Sequence, residues 1–325
     1  QASRLLRLRG TWGTSFRAPP FFWSNPDQIG DVFTSDVVDP RSPTDHTHAL
    51  VVAGPIPDLQ PETASAWTVG MDVTLPAAPS FSLSLTYFDI DYEGKVQSPG
   101  FSGDYLVREN EFAPFITRNP TQAQIDALCH RPQQNGGDCN PNPPIAAILD
   151  VRVRNLGSVK TRGVDVALDY SNDTARGQWI YGLNGTYLFD QRQQFLPTAP
   201  VFDYVDTVGN PLQVRFAARV SWLLRRWTLQ ATVNYTGRYR DPDSVPARVV
   251  DSWTTVDANA GYRVDGGQGW LANTQINLGI INFLDQRPPF VNRFDLFSGT
   301  VGYDAANATV LGRQVSLQVV KGWGQ

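Results

Sequence analysis

Long apolar runs are missing from this 325-residue chain: no stretch of 18 or more apolar residues occurs, which excludes a transmembrane helix. Charge is scarce as well. Asp, Glu, Lys and Arg make up 18%, yet hydrophobic residues reach only 41%. Few charges without many aliphatics argue against disorder and against an ordinary charged soluble surface. Lys+Arg 27 against Asp+Glu 31 leaves a net charge of −4, so no positive excess exists to bind nucleic acid through bulk charge. Lysine is confined to Lys95, Lys160 and Lys321, and methionine to Met71. Gln1 is therefore no initiator, and the chain is expected to be a trimmed piece of something longer. What is abundant is turn and ring: Gly 27, Pro 24 and aromatics at 11% describe strands and turns rather than helices.

Period two dominates the pattern. Trp67, Val69, Met71, Val73 and Leu75 alternate with polar or small residues, and so do Val164, Val166, Leu168 and Tyr170. Val214, Phe216, Ala218, Val220, Trp222 and Leu224 form a third run, Trp227 to Tyr235 a fourth and Val256 to Val264 a fifth. Weaker runs occupy 3–13, 80–92, 178–190, 272–284 and 312–321. At Tyr87-Phe88-Asp89-Ile90 the apolar face switches, which predicts a bulge. These runs match the length of a membrane-spanning strand, about 9–11 residues, better than that of a soluble one.

Connection lengths alternate. Short turns occupy Pro76–Pro79, Asn172–Arg176, Arg225–Arg226 and Asp265–Gly269; long loops occupy 14–60, 99–150, 191–211, 241–251 and 285–311. Trp179, Trp222, Trp227, Tyr262, Trp270 and Trp323 fall near short turns or the C-terminus, and Tyr87, Tyr187, Phe189, Tyr239, Trp253 and Phe283 near long loops. Two aromatic girdles and a long-loop rim opposite a short-turn rim mark an all-β, antiparallel transmembrane β-barrel. About ten long strands are placed. The final strand should run toward the short-turn, periplasmic rim. Val214, Phe216, Val220 and Trp222 should face lipid, with Arg215 and Arg219 facing the lumen. A soluble sandwich or propeller also alternates, but has shorter strands and no such loop asymmetry.

Five segments, in order, resemble TonB-dependent outer-membrane receptors: Arg9 to Pro19 (RGTWGTSFRAP), Leu59 to Gly70, Asn155 to Asp165, Asn277 to Asp285 (NLGIINFLD) and Gly312 to Val315. The resemblance implies that residues 1–325 are the C-terminal part of such a receptor's barrel, in the bacterial outer membrane, with the N-terminal plug and earlier strands outside this chain. It implies energy-coupled uptake of a scarce ligand such as a siderophore or carbohydrate. The implied partners are the TonB complex (through the plug), outer-membrane lipid and a small molecule. A passive porin shares the periodicity but not the five segments.

No enzymatic constellation emerges, and no cofactor or metal is implied. Asp45-His46-Thr47-His48 puts two imidazoles on one face of an extended segment, yet without a third His or Cys nearby it reads as ordinary loop. Cys129 and Cys139 flank a polar turn and suit a disulfide in an oxidising compartment; His130 beside Cys129 is not read as a nucleophile pair. Asp89/Asp91 and Asp165/Asp169 share strand faces and are read as lumen charges. Thr121 with Gln124 resembles a capping box, so a short helix is expected over 121–128. Candidate ligand contacts are the loop rings Phe21, Phe22, Trp23, Tyr105, Phe115 and Tyr204, which suit stacking, and the arginines Arg215, Arg219 and Arg238, which suit an anionic ligand or plug carboxylates.

Overall fold

The computed structural model describes residues 5–21, 30–56, 58–75, 78–99, 105–130, 139, 142–155, 157–194, 200–242, 244, 246–264, 270–295 and 299–322. Ten long strands form one antiparallel meander: β1 (Leu6–Arg17), β2 (Glu62–Leu75), β3 (Ala78–Glu93), β4 (Ser158–Thr174), β5 (Gly177–Gln194), β6 (Val214–Leu224), β7 (Trp227–Thr236), β8 (Trp253–Val264), β9 (Thr274–Ile281) and β10 (Gln314–Lys321). Each pairs with the next in chain order, and β1 and β10 form the two edges. The short segment Val201–Asp203 adds to the upper end of β5.

Register carries the alternation across the sheet. Trp179 pairs with Trp222, Trp222 with Leu229, Leu229 with Ala260 and Ala260 with Leu278. One apolar row thus crosses five strands, and a one-residue slip would turn every member to the polar face. The two-residue turns Ala175–Arg176 and Arg225–Arg226 lie on one rim. Lys321 pairs with Thr274 at the start of β9, so β10 runs toward that same rim, as the pattern predicts.

Two aromatic bands bound the apolar face. Near the short turns, Trp179 packs on Trp222 (centroids 6.1 Å) and Trp227 on Tyr262 (4.6 Å). Near the opposite rim, Tyr87 joins Trp67 (5.1 Å) and Phe189 (6.1 Å), and Phe189 meets Tyr187 (5.5 Å). Trp179 and Tyr187 are eight residues apart on β5. At about 3.4 Å per residue and a barrel tilt of about 40°, that is roughly 20 Å along the barrel axis, comparable to a lipid-facing band.

Above the upper band the same face turns charged, which corrects two expectations. Tyr87 to Asp91 run as regular strand, without a bulge. Asp89 and Asp91 therefore share the face of Tyr87, not the lumen face, and both reach the Lys160 ammonium (3.3 and 3.0 Å). The register shift lies instead between Arg162 and Gly163, opposite Asp190 and Leu188, with Phe189 as the extra residue. It brings Asp190 beside Arg162, with which it pairs. Two girdle assignments also fail. Tyr239 is buried in a loop cluster with Leu212, Val250 and Val291, and Trp253 lies opposite Thr236 on the polar face. Trp323 lies outside the described residues.

The long connections build a layer of their own. Val32–Val38, His46–Val52, Ala147–Asp150 and Ile116–Arg118 form a four-stranded sheet in which the second and third strands are parallel. Val51, Tyr105, Leu106, Phe112, Phe115, Leu149 and Val151 fill one side of it. Val32, Leu50, Val52, Ile125, Ile145 and Ile148 fill the other. Each such side chain contributes about 1.5–3 kcal/mol of burial, so this outer subdomain has a core independent of the main sheet. Gln122–Cys129 is helical with the expected Thr121/Gln124 capping box. Cys129 and Cys139 form a disulfide, Cα to Cα 5.9 Å.

Candidate functional site

The polar face of the main sheet is a wall of paired side chains, because every residue between two apolar ones points there. On the β1–β3 half, Arg9 reaches Ser84 Oγ (2.8 Å), Thr86 Oγ1 and Asp72 (3.5 Å). Farther along, Thr186 donates to Asp165 (2.6 Å) and Arg219 faces Asp169 (3.7 Å). On β7 and β8, Asn234 donates to Asp257 Oδ2 (2.8 Å), whose Oδ1 accepts from the Asn282 N–H (2.9 Å). An open cavity of about 640 Å³ lies against this half of the wall, lined by Arg215, Asn234, Trp253, Asp257 and the loop residues Leu212 and Asn307. Arg215 Nη2 reaches the Asn307 carbonyl at 3.4 Å. The surface offers donors and acceptors to a polar partner.

The expected site residues separate into distinct environments. Arg215 and Arg219 lie on the polar face and Arg215 lines the cavity. Arg238 lies beyond the end of β7, in a mostly polar depression with Asp206, Gln213, Tyr235 and Asp251. Phe21 is 85% exposed; Phe22 and Trp23 lie outside the described residues. Tyr105 (1% exposed) and Phe115 (2%) are core of the outer subdomain, where Tyr105 stacks on Phe112 (4.4 Å) and Arg154 covers the Phe115 ring (5.2 Å). Rings that stabilise a subdomain core have no face left for a ligand, so both leave the candidate set. Tyr204 packs partly buried against the same core.

Asn234, Trp253 and Asp257 are the wall residues that a search for exposed rings and arginines passes over. The signal that marks them is their phase, opposite the apolar run Trp227–Tyr235 for Asn234 and opposite Val256–Val264 for Trp253 and Asp257. Of the two loop imidazoles, His48 Nδ1 is 2.7 Å from Asp36 and His46 Nδ1 is 3.3 Å from the Thr44 carbonyl.

The recurring sequence segments meet at the outer ends of the strands. Glu62, fully buried, receives a two-pronged guanidinium from Arg17 and a hydrogen bond from Tyr92 Oη (2.7 Å). Asn155 accepts from the Gln60 N–H (2.7 Å) and donates to the Gln60 and Gly94 carbonyls (2.8 and 2.6 Å). Asp285 Oδ1 accepts from the Arg313 N–H (2.8 Å). Gly163 is where it is for lack of room: a Cβ there would stand 2.7 Å from the Phe88 ring. These residues tie the outer ends of neighbouring strands to each other and to the connections beside them.

In the outer subdomain one guanidinium, Arg118, holds two carboxylates: Asp39 (2.7 and 3.0 Å) and Glu109 (2.9 Å). Those hydrogen bonds keep both carboxyls below the usual range. Burial alone would raise the Asp150 carboxyl, but hydrogen bonds from Arg152 and Arg154 bring it down to about 2.

Comparison with known proteins agrees with this architecture. A family model described as TonB dependent receptor-like, beta-barrel, matches residues 2–283. No curated protein sequence matches the chain. Among solved structures, the ferric enterobactin receptor PfeA of Pseudomonas aeruginosa, in complex with enterobactin, superposes with a TM-score of 0.57 at 18% identity, covering 98% of this chain and 38% of the receptor. The siderophore receptor PirA of Acinetobacter baumannii gives 0.58 at 14% identity, covering 98% and 39%. The FrpB iron transporter of Neisseria meningitidis gives 0.52 at 11%, covering 98% and 37%. The chain thus spans about two-fifths of the length of the receptors it resembles. With a family match over most of its length and a ten-stranded meander of the same fold, the chain belongs to the TonB-dependent receptor β-barrel family.

Proposed function

We propose that this chain is the C-terminal wall of an outer-membrane receptor that imports a scarce small molecule, of the ferric siderophore class, using energy delivered through TonB. The observation that carries the reading is the two-faced sheet under a folded outer subdomain, in a chain of this family. One face is apolar between aromatic bands and suits lipid. The other carries Arg215, Asn234 and Asp257 and suits a plug domain or a polar ligand passing from the outer rim. Phe21, Phe22, Trp23, Tyr204, Arg215, Arg219 and Arg238 remain the ligand-facing candidates. The wall's job is to bind and orient; it needs no nucleophile.

The test uses the full-length receptor. Reconstituted in liposomes, a plugged receptor leaves small sugars outside, whereas a passive porin causes rapid swelling. In cells lacking other iron receptors, uptake of labelled ferric enterobactin should require TonB and fall when Arg215 is replaced by alanine. Swelling with small sugars, or uptake indifferent to TonB, would refute the proposal.

A further inference from the structure

The apolar face is not uniformly flat. Near the short-turn rim it holds a trough of about 390 Å³, walled by Trp179, Val220 and Trp222 on one side and by Leu278 and Ile280 on the other. The floor between those walls is low because three of the four residues at its paired positions on β7 and β8 are alanines: Ala231 opposite Ala258, and Ala260 opposite Leu229. The ring pair Trp227–Tyr262 lies two residues closer to the short turn than the Leu229–Ala260 pair.

Directly below that pair is the β6–β7 turn, whose Arg225 and Arg226 are both exposed. Two more arginines belong to the same rim. The Arg176 carbonyl accepts from the Trp222 indole N–H (2.7 Å), tying a trough wall to the neighbouring turn. The Arg226 carbonyl accepts from the Arg263 N–H (2.9 Å). Among the described residues of this rim, Asp173 is the carboxylate set against them.

We propose that the trough seats one acyl chain of an anionic phospholipid, whose phosphate rests on Arg225 and Arg226. The inference depends on the apolar face meeting lipid, as in the function proposed above. A flat apolar face takes any chain equally. A trough with a ring wall on one side and an aliphatic wall on the other holds one chain in place, and a guanidinium pair at the depth of the headgroups selects for negative charge. Indole and phenol rings at the junction suit the glycerol level, where one end of the ring is dry and the other wet.

The test compares two quenchers. The full-length receptor is refolded into phosphatidylcholine vesicles containing a set fraction of acyl-brominated phosphatidylglycerol or acyl-brominated phosphatidylcholine, and tryptophan fluorescence is read. Brominated phosphatidylglycerol should quench Trp179, Trp222 and Trp227 at a several-fold lower fraction. Replacing Arg225→Gln and Arg226→Gln should remove that preference, by about fivefold per arginine, while Arg225→Lys with Arg226→Lys keeps most of it. Ala258→Phe, which fills the trough, should reduce quenching by both lipids. Equal quenching by the two lipids in the unmodified receptor, or a preference that survives the double glutamine variant, would overturn the proposal. Failure to insert into either vesicle would instead overturn the lipid-facing reading on which it rests.

Discussion

Two neighbouring residues of β7 allow a direct test of which face meets lipid. Val233 pairs with Ala218 and Val256 on the apolar face; Thr232 pairs with Arg219 and Asp257 on the polar one. Arginine installed at either position brings the same side chain, the same charge and nearly the same propensity. On the lipid face it costs about 2–4 kcal/mol at the membrane midplane and about 0–1 near the interface. Val233 lies two residues from Tyr235 and six from Trp227, so about 2–3 kcal/mol is expected, roughly a 30- to 150-fold loss in the folding equilibrium. At Thr232 the new guanidinium stands between a like charge and an opposite one, and surface pairs of that kind are each worth about 0–1 kcal/mol. The two contributions nearly cancel. Urea unfolding of the full-length receptor from vesicles, followed by heat-modifiable migration, reads the difference. If Thr232→Arg costs as much as Val233→Arg, the assignment of faces is wrong, and with it every pairing row described above.

Three further outcomes follow from the outer subdomain. Tyr105→Ala removes a fully buried ring stacked on Phe112 and should destabilise that layer by about 3–5 kcal/mol; limited proteolysis should then cut the outer segments while the main sheet resists. The Asp39 and Glu109 carboxyls sit below their unfolded values because Arg118 binds them, so their stabilisation is complete above the ordinary carboxylate range and is lost as pH falls through the lowered folded values. Hydrogen exchange in Ile116–Arg118 should therefore accelerate as pH is lowered below about 4, after correction for intrinsic rates, and Arg118→Gln should abolish the extra acceleration. Cys129→Ser with Cys139→Ser should weaken closure of the loop by about 2–3 kcal/mol in the chain-entropy treatment, read as faster exchange in the helix Gln122–Cys129; unchanged protection there would show that packing alone holds it.

The strands were legible where one of their faces is apolar, and only there. Alternation in Val164 to Tyr170 locates the middle of β4, yet the strand runs from Ser158 to Thr174. β2 begins at Glu62, before the alternation starts at Trp67. Beyond the aromatic bands both faces are polar, so a pattern of apolar and polar residues carries no trace of the continuing ladder. The same limit explains Asp89 and Asp91. The change from Tyr87 to Asp89 on one face looks like a bulge in a one-dimensional pattern, but it marks the level at which an unbroken strand leaves the apolar band. Trp253 was readable by parity, since it shares the phase of Thr255 and Asp257; Tyr239 was not, because its burial depends on Leu212 and Val291 from distant loops.

The outer subdomain is the part that no local pattern announces. Ala49 to Val52 and Ala147 to Leu149 are short continuous apolar runs that pair with each other in parallel, across about a hundred residues of chain, at the centre of a four-stranded sheet. Each is buried on both faces, so period two is absent, and a ring such as Tyr105 reads as exposed when its neighbours in space are unknown. The recurring segments behave differently again. Arg17 with Glu62, Gln60 with Asn155, and Asp285 with Arg313 are partners drawn from separate segments; the first joins the outer ends of β1 and β2, and the others join the connections next to strand ends. A buried carboxylate such as Glu62 is costly without its guanidinium, so neither member of that pair is free to change alone. Their spacing along the sequence therefore records how the loop layer is fastened to the barrel. The polar wall positions, by contrast, have the opposite phase as their only signature.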